Sequence, residues 1–386
     1  MKCLVVAAGG IADEPLTEGG GKAPLEIART PNLDLMSSRG ILGLTRTVPR
    51  GPAPGNDLGI LALLGYDPER FYGGLAPLAA AAQGVTLGAD EVGVCCQLVT
   101  FDQDVSGIEI LSDPNGGGLT MEEERTLLAE LGPALGSDAF VLHPGPGHRH
   151  LLVWRGGERS VRTTPPHEVT SKPVAARLPE GRGADVLRDI MERAKGVLSG
   201  HPLCAGRRSR GETAPNGLWL WGLGTRTSLP AFRDRFHLEG AVVSRADFVH
   251  GLGRLAGMNV VNAPEPAAAV DLALHALGAH ELVLLGAEVG DFPTESGKPA
   301  DMIEQFDDRV VGQALAGLRQ MGDDWRLLVI PPTKRHTAEP VPFTVYVARD
   351  ESKDRGVSRG FSERDARELG IFIPEAHTLL DRLLRR

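Results

Sequence analysis

Five short apolar runs do most to limit the fold: Lys2–Ala8, Gly240–Ser244, Glu281–Leu285, Arg326–Ile330 and Val341–Val347. After Lys2 the first run is apolar at every position, without the alternation of a strand that has one wet face. A strand of that kind is buried on both sides, as in a parallel sheet sandwiched between helices. Helical segments fall between the runs. Thr30-Pro31 reads as an N-cap followed by proline at the first helical position, with Gly40 as the stop. Further helices are expected from about Ala246 to Leu255 and from Ala267 to Leu277. Strands alternating with helices predict an α/β fold, with a mostly parallel sheet covered by helices on both faces.

The middle of the chain reads differently. From about Ala81 to Thr170 the strands are shorter and the turns denser, with loops at Asp113–Gly118, His143–Gly147 and Thr163–Pro166. Leu151–Trp154 is a strand that ends in a glycine turn. This predicts a smaller α+β domain, residues 81–181, inserted into a larger one formed by residues 1–80 and 182–386. The helix expected over Ala184–Leu198 would carry the chain back. A length of 386 residues, 42% of them hydrophobic, suits two domains better than one.

The net charge of -9 argues against a nucleic-acid binder, which needs surplus positive charge along a face. Nothing in the chain approaches the apolar run of a membrane span, and Met1–Val6 does not read as a signal peptide. Cys3, Cys95, Cys96 and Cys204 show no metal spacing, so a cytoplasmic setting with reduced thiols is expected. Gly19–Lys22 lacks the spacing of a phosphate loop, and His143, His148 and His150 read as packing or hydrogen-bonding groups. Trp219 and Trp221 read as core packing on a strand.

An ordered series of local motifs adds a resemblance. Gly20–Glu26, Thr30–Asp34, Leu64–Pro68, Arg149–Trp154, Thr164–His167, Trp219–Gly222, Pro340–Phe343 and Phe361–Glu363 resemble the archaeal-type cofactor-independent phosphoglycerate mutases, in family order along nearly the whole chain. The resemblance implies an alkaline-phosphatase-like core with an inserted domain. It also implies an activated serine, two divalent metals (manganese or magnesium), and transfer of a phosphoryl group between hydroxyls of phosphoglycerate through a phosphoserine.

Position by position, the resemblance breaks where that chemistry resides. Gly9 stands at a metal-binding aspartate, and Asn56 of Pro54-Gly55-Asn56-Asp57 stands at the nucleophilic serine. An amide lacks the hydroxyl that would be phosphorylated. Asp291 and His336 remain as ligand positions, Asp57 as a neighbour of the nucleophile position, and Arg149, His150 and His167 as substrate-binding positions. Lys334-Arg335 replaces a carboxylate–imidazole pair, and Cys95-Cys96-Gln97, Gly73-Gly74-Leu75 and Gly117-Gly118 depart from the family pattern as well. No metal cofactor is expected on this count, since two sites would need at least three protein ligands each.

The leading expectation is a catalytically degenerate paralogue that binds a phosphorylated metabolite or a partner such as an active homologue. The alternative is an active phosphoglycerate mutase with rearranged metal ligands. A third is a different enzyme built on the old cleft.

Overall fold

The computed structural model describes residues 1–15, 20–49, 55–135, 137–145, 149–334, 337–352 and 359–384. Gly19, Pro54, His148, Arg335 and His336 lie outside them. Among the described residues the strands, in chain order, are β1 (Lys2–Gly9), β2 (Ile41–Thr45), β3 (Glu91–Gln103), β4 (Glu109–Asp113), β5 (Phe140–His143), β6 (His150–Arg155), β7 (Gly217–Thr225), β8 (Gly240–Ser244), β9 (Asn259–Asn262), β10 (Leu282–Glu288), β11 (Trp325–Ile330), β12 (Val341–Val347) and β13 (Phe372–Ile373). The chain divides into two units, Met1–Tyr72 with Ser228–Arg386, and Gly73–Thr227.

The first unit holds one sheet in the order β13-β2-β12-β11-β1-β10-β8-β9. β1 lies between β10 and β11 and is parallel to both, with Val5 opposite Leu284 on one side and Leu328 on the other. β8 and β9 extend the parallel run, whereas β12 is antiparallel to β11 and β2. The expected α/β class is therefore present. Cys3, Leu4, Val5 and Val6 are all fully buried, so both faces of β1 are covered. On one face Leu4, Val6 and Ala8 join Leu33, Met36, Leu277 and Phe306 in a single core. On the other, Gly253 of the Asp247–Leu255 helix comes so close that an added Cβ would stand 2.4 Å from Val242.

The helix begun by Pro31 runs to Arg39, as the sequence indicates, but Thr30 does not cap it with its side chain. Its hydroxyl donates to Asp34 instead. The free amides of the first turn are taken by a distant carboxylate: Asp307 accepts from Asn32 N–H at 3.0 Å and from Leu33 N–H at 2.9 Å. Asp307 opens a π-helical turn, Asp307–Gly312, between two α-helical stretches.

The second unit is built on the long β3, antiparallel to β4, β6 and β7. Here the expected boundaries need correcting. The chain does not return to the larger unit at residue 182, because β7 pairs with β3 from Val92 to Val99. The Ala184–Gly200 helix stays with it, placing Leu187, Ile190, Ala194 and Leu198 in the same core as Trp219. At the other end the unit starts at Gly73 and not residue 81, since Ala76, Ala79 and Ala80 pack against Cys95, Leu151 and Val153. Trp219 is fully buried and its Nε1 donates to the Thr164 carbonyl at 2.8 Å. All four cysteines are buried, and none forms a disulfide. No helix among the described residues is long and apolar enough to cross a membrane.

The Asn56–Leu63 helix lies hard against the chain leaving β11. A Cβ on Gly59 would stand 1.9 Å from the Pro332 carbonyl oxygen, and backbone on both sides cannot yield cheaply. Gly59→Ala should therefore cost about 2–3 kcal/mol, read as a lowered urea midpoint.

Candidate functional site

Parallel strands in an open α/β sheet present their carboxyl ends together, and the loops leaving those ends can bring side chains into one place. β1 ends at Gly9, whose partner across the ladder is Glu288 at the end of β10. The Glu288 side chain lies over Gly9: a Cβ built there would stand 2.1 Å from Glu288 Oε2. A side chain at position 9 and Glu288 as placed are mutually exclusive. The first residue of the Asn56–Leu63 helix then closes in, Asn56 Nδ2 donating to Glu288 Oε1 at 3.1 Å. Asn56 Oδ1 accepts from the Thr333 hydroxyl at 2.7 Å, Thr333 lying just beyond β11. The end of β10 and the chain leaving β11 are thus linked through one amide.

Charged groups flank this chain of hydrogen bonds. Arg245, which follows β8, pairs with Asp291 in the short turn Val289–Asp291. Lys334 is buried to 6% side-chain exposure and faces Glu14 at 3.3 Å, Glu339 at 3.2 Å and Glu363 at 3.2 Å. Asp57 is buried and accepts from the Tyr72 hydroxyl. Burial raises its carboxyl above the usual range, against the opposing hydrogen bonds from Tyr72 and the Leu58 N–H. For Glu288, burial and then the Asp291 charge push the carboxyl up to about 7, opposed by Asn56 and Arg245.

Of the positions singled out in the sequence, Gly9 and Asn56 meet at Glu288, Asp57 lies beside Asn56 on the same helix, and Asp291 acts on Glu288 through its charge. His336 lies outside the described residues. Among those described, no group of three or more His, Cys, Asp or Glu is gathered so as to hold a metal ion. In the Gly73–Thr227 unit Arg149 and His167 are exposed, and the His167 ring meets Trp221 edge-on with centroids 6.4 Å apart. His150 differs from both: it is 1% exposed, and its Nδ1 accepts from the Gly145 N–H at 3.2 Å. Its ring therefore fixes the turn before β6. Glu288 and Thr333 escaped the sequence reading. Glu288 had left one signal, a carboxylate ending an otherwise apolar strand.

A family model described as 2,3-bisphosphoglycerate-independent phosphoglycerate mutase matches residues 37–204. A Geobacter sulfurreducens protein named a probable 2,3-bisphosphoglycerate-independent phosphoglycerate mutase is 37% identical over 406 residues, covering 100% of both chains. The chain belongs to this family. A Methanothrix thermoacetophila mutase of the same description is 39% identical across 89% of this chain and 90% of its own. Among solved structures, a Pyrococcus horikoshii protein matches with a TM-score of 0.74 at 23% identity, over 99% of this chain and 96% of its own. A cofactor-independent phosphoglycerate mutase from Thermoplasma acidophilum matches with a TM-score of 0.60 at 24% identity, over 100% of this chain and 99% of its own. At such identities the likeness speaks for the fold.

The Glu288 carboxyl sets a pH signature. An ordinary glutamate releases its proton near 4.5, whereas the folded group holds it to about 7, so the folded state binds the extra proton between those values. That contribution to stability is complete below about pH 4.5 and is lost as pH rises through 7. Glu288→Gln keeps an acceptor for Asn56 without the charge. It should exceed the wild type in stability by about 2 kcal/mol at about pH 8, the gap closing below about pH 5, in paired urea titrations.

Proposed function

We propose that this member of the family keeps the mutase scaffold but does not pass a phosphoryl group through residue 56, and serves to bind a phosphorylated metabolite. The observation that carries the proposal is the Glu288 carboxyl standing in the space over Gly9 and bonded to Asn56. An amide has no hydroxyl from which to form a phosphate ester. The described donors also do not suit two divalent ions. Glu288 is bonded to Asn56, Asp57 to Tyr72 and Asp291 to Arg245. A lysine ammonium occupies the centre of the remaining carboxylates. Dications need three or more free anionic or imidazole ligands converging on one point, and the described residues gather no such set.

The strand-end groups offer a phosphate little positive charge, since Lys334 and Arg245 are both engaged with carboxylates. The groups proposed to meet the ligand are instead Arg149 and His167, exposed on the inserted unit. An arginine suits a phosphate through its planar fork of donors.

Two measurements test this reading. With manganese or magnesium, interconversion of 3- and 2-phosphoglycerate should run at least about 1,000-fold below the Geobacter relative assayed alongside. A thermal shift caused by 3-phosphoglycerate should persist in a chelator and weaken in Arg149→Ala. Turnover comparable to the relative, with bound metal and a phosphorylated enzyme, would remove the proposal.

A further inference from the structure

The tripeptide Pro-Asn-Gly occurs twice in the chain, as Pro114-Asn115-Gly116 and as Pro215-Asn216-Gly217. An asparagine before glycine is open to attack by its own backbone, because glycine has no side chain to keep its nitrogen away from the asparagine amide carbon. Two identical tripeptides should react alike in an unfolded chain, so a difference between them is made by the fold.

Asn216 is held. Its Oδ1 accepts from the Phe101 N–H at 2.7 Å, and its Nδ2 donates to the Phe101 carbonyl at 2.8 Å. Gly217 begins β7 opposite Val99, packed so closely that an added Cβ would stand 2.1 Å from the Phe101 ring. The Asn216 amide cannot turn towards the Gly217 nitrogen unless both bonds break.

Asn115 is exposed in the Asp113–Gly118 loop. Asp113 accepts from the N–H groups on either side of Gly116, that of Asn115 at 2.7 Å and that of Gly117 at 2.8 Å. Among the described residues no acceptor takes the Gly116 N–H or the Asn115 Nδ2. One donor does reach the amide. Gln97 is buried, and its Nε2 donates to the Pro114 carbonyl at 2.6 Å and to Asn115 Oδ1 at 3.3 Å. A donor there stabilises the negative charge that Oδ1 gains when its carbon is attacked.

We infer that Asn115 is a self-modification site, where the folded protein converts its own asparagine to aspartate or isoaspartate with Gln97 assisting. The Gly116 nitrogen forms a bond to Asn115 Cγ and the Cγ–Nδ2 bond breaks, Nδ2 leaving as ammonia with the proton that Gly116 gives up. Water then opens the cyclic imide. Cleavage between Cγ and the nitrogen leaves an aspartate; cleavage on the other side leaves an isoaspartate, its chain running on through Cγ. Either product adds a negative charge beside Asp113.

The test ages the full-length protein at mildly alkaline pH and follows both tripeptides by peptide mapping, with isoaspartyl methyltransferase labelling to register isoaspartate. In the folded protein Asn115 should convert at least about 10-fold faster than Asn216, since a loop opens far more readily than a doubly bonded residue at a strand end. In urea the two rates should converge. Gln97→Leu should slow conversion at Asn115 by about threefold or more and leave Asn216 unchanged. Equal rates at the two sites in the folded protein, an intact Asn115 there, or a gap that persists in urea overturns the inference. An unaltered rate in Gln97→Leu overturns the part given to Gln97. If Gln97→Leu does not fold, the wild type decides that part: Asn115 reacting at least as fast folded as in urea supports it, and a slower folded reaction overturns it.

Discussion

The structure depends on a strand that is held along both edges by partners from the far half of the chain. β1 has no free edge, since β10 and β11 take its hydrogen bonds on either side. Its side chains from Cys3 to Val6 are fully buried, each worth about 1.5–3 kcal/mol for a residue of leucine or valine size. Once this register is set, the strand ends are set too. Gly9 faces Glu288, the chain leaving β11 brings Thr333 alongside, and the Asn56 helix can approach only because Gly59 carries no side chain.

Two glycines shape the site in different ways. Gly59 yields room to backbone, which cannot move without disturbing β11, whereas Gly9 yields room to the end of a flexible glutamate. The first is a constraint of packing and the second a choice of chemistry. With Glu288 over Gly9, the strand ends carry a neutral amide, a carboxyl that titrates near 7 and cations already matched to acids. Such a surface is poorly suited to a doubly charged phosphate, which is why the exposed groups of the inserted unit carry the proposed contact.

Much of the fold was legible. The unbroken apolar run of β1 announces a strand covered twice, and Pro31 and Gly40 bound their helix to the residue. The domain boundary was not, because β7 looks locally like any apolar strand and its partner β3 lies far back in the chain. Strand pairing at such separations is decided by side-chain packing over the whole unit, not by neighbouring residues. The site was legible as a set of absences, at Gly9 and Asn56. What fills them was hidden, since a motif records which residue stands at a position and not which distant side chain enters the space it vacates. The cap supplied by Asp307 was hidden for the same reason, 274 positions from the amide it receives.

That long reach has a consequence for how the molecule is made. A growing chain emits β1 long before the strands that flank it, β10 and β11, which arrive only with residues 282–288 and 325–330. Until then a greasy ribbon with two unsatisfied edges trails from the ribosome, and the helix behind it waits on Asp307 for its cap. The Gly73–Thr227 segment, by contrast, is continuous and contains every strand of its own sheet. It can finish early, while the other unit must wait for the strands that follow residue 227. Synthesis of this protein therefore places a long demand on whatever shields nascent apolar strands from one another.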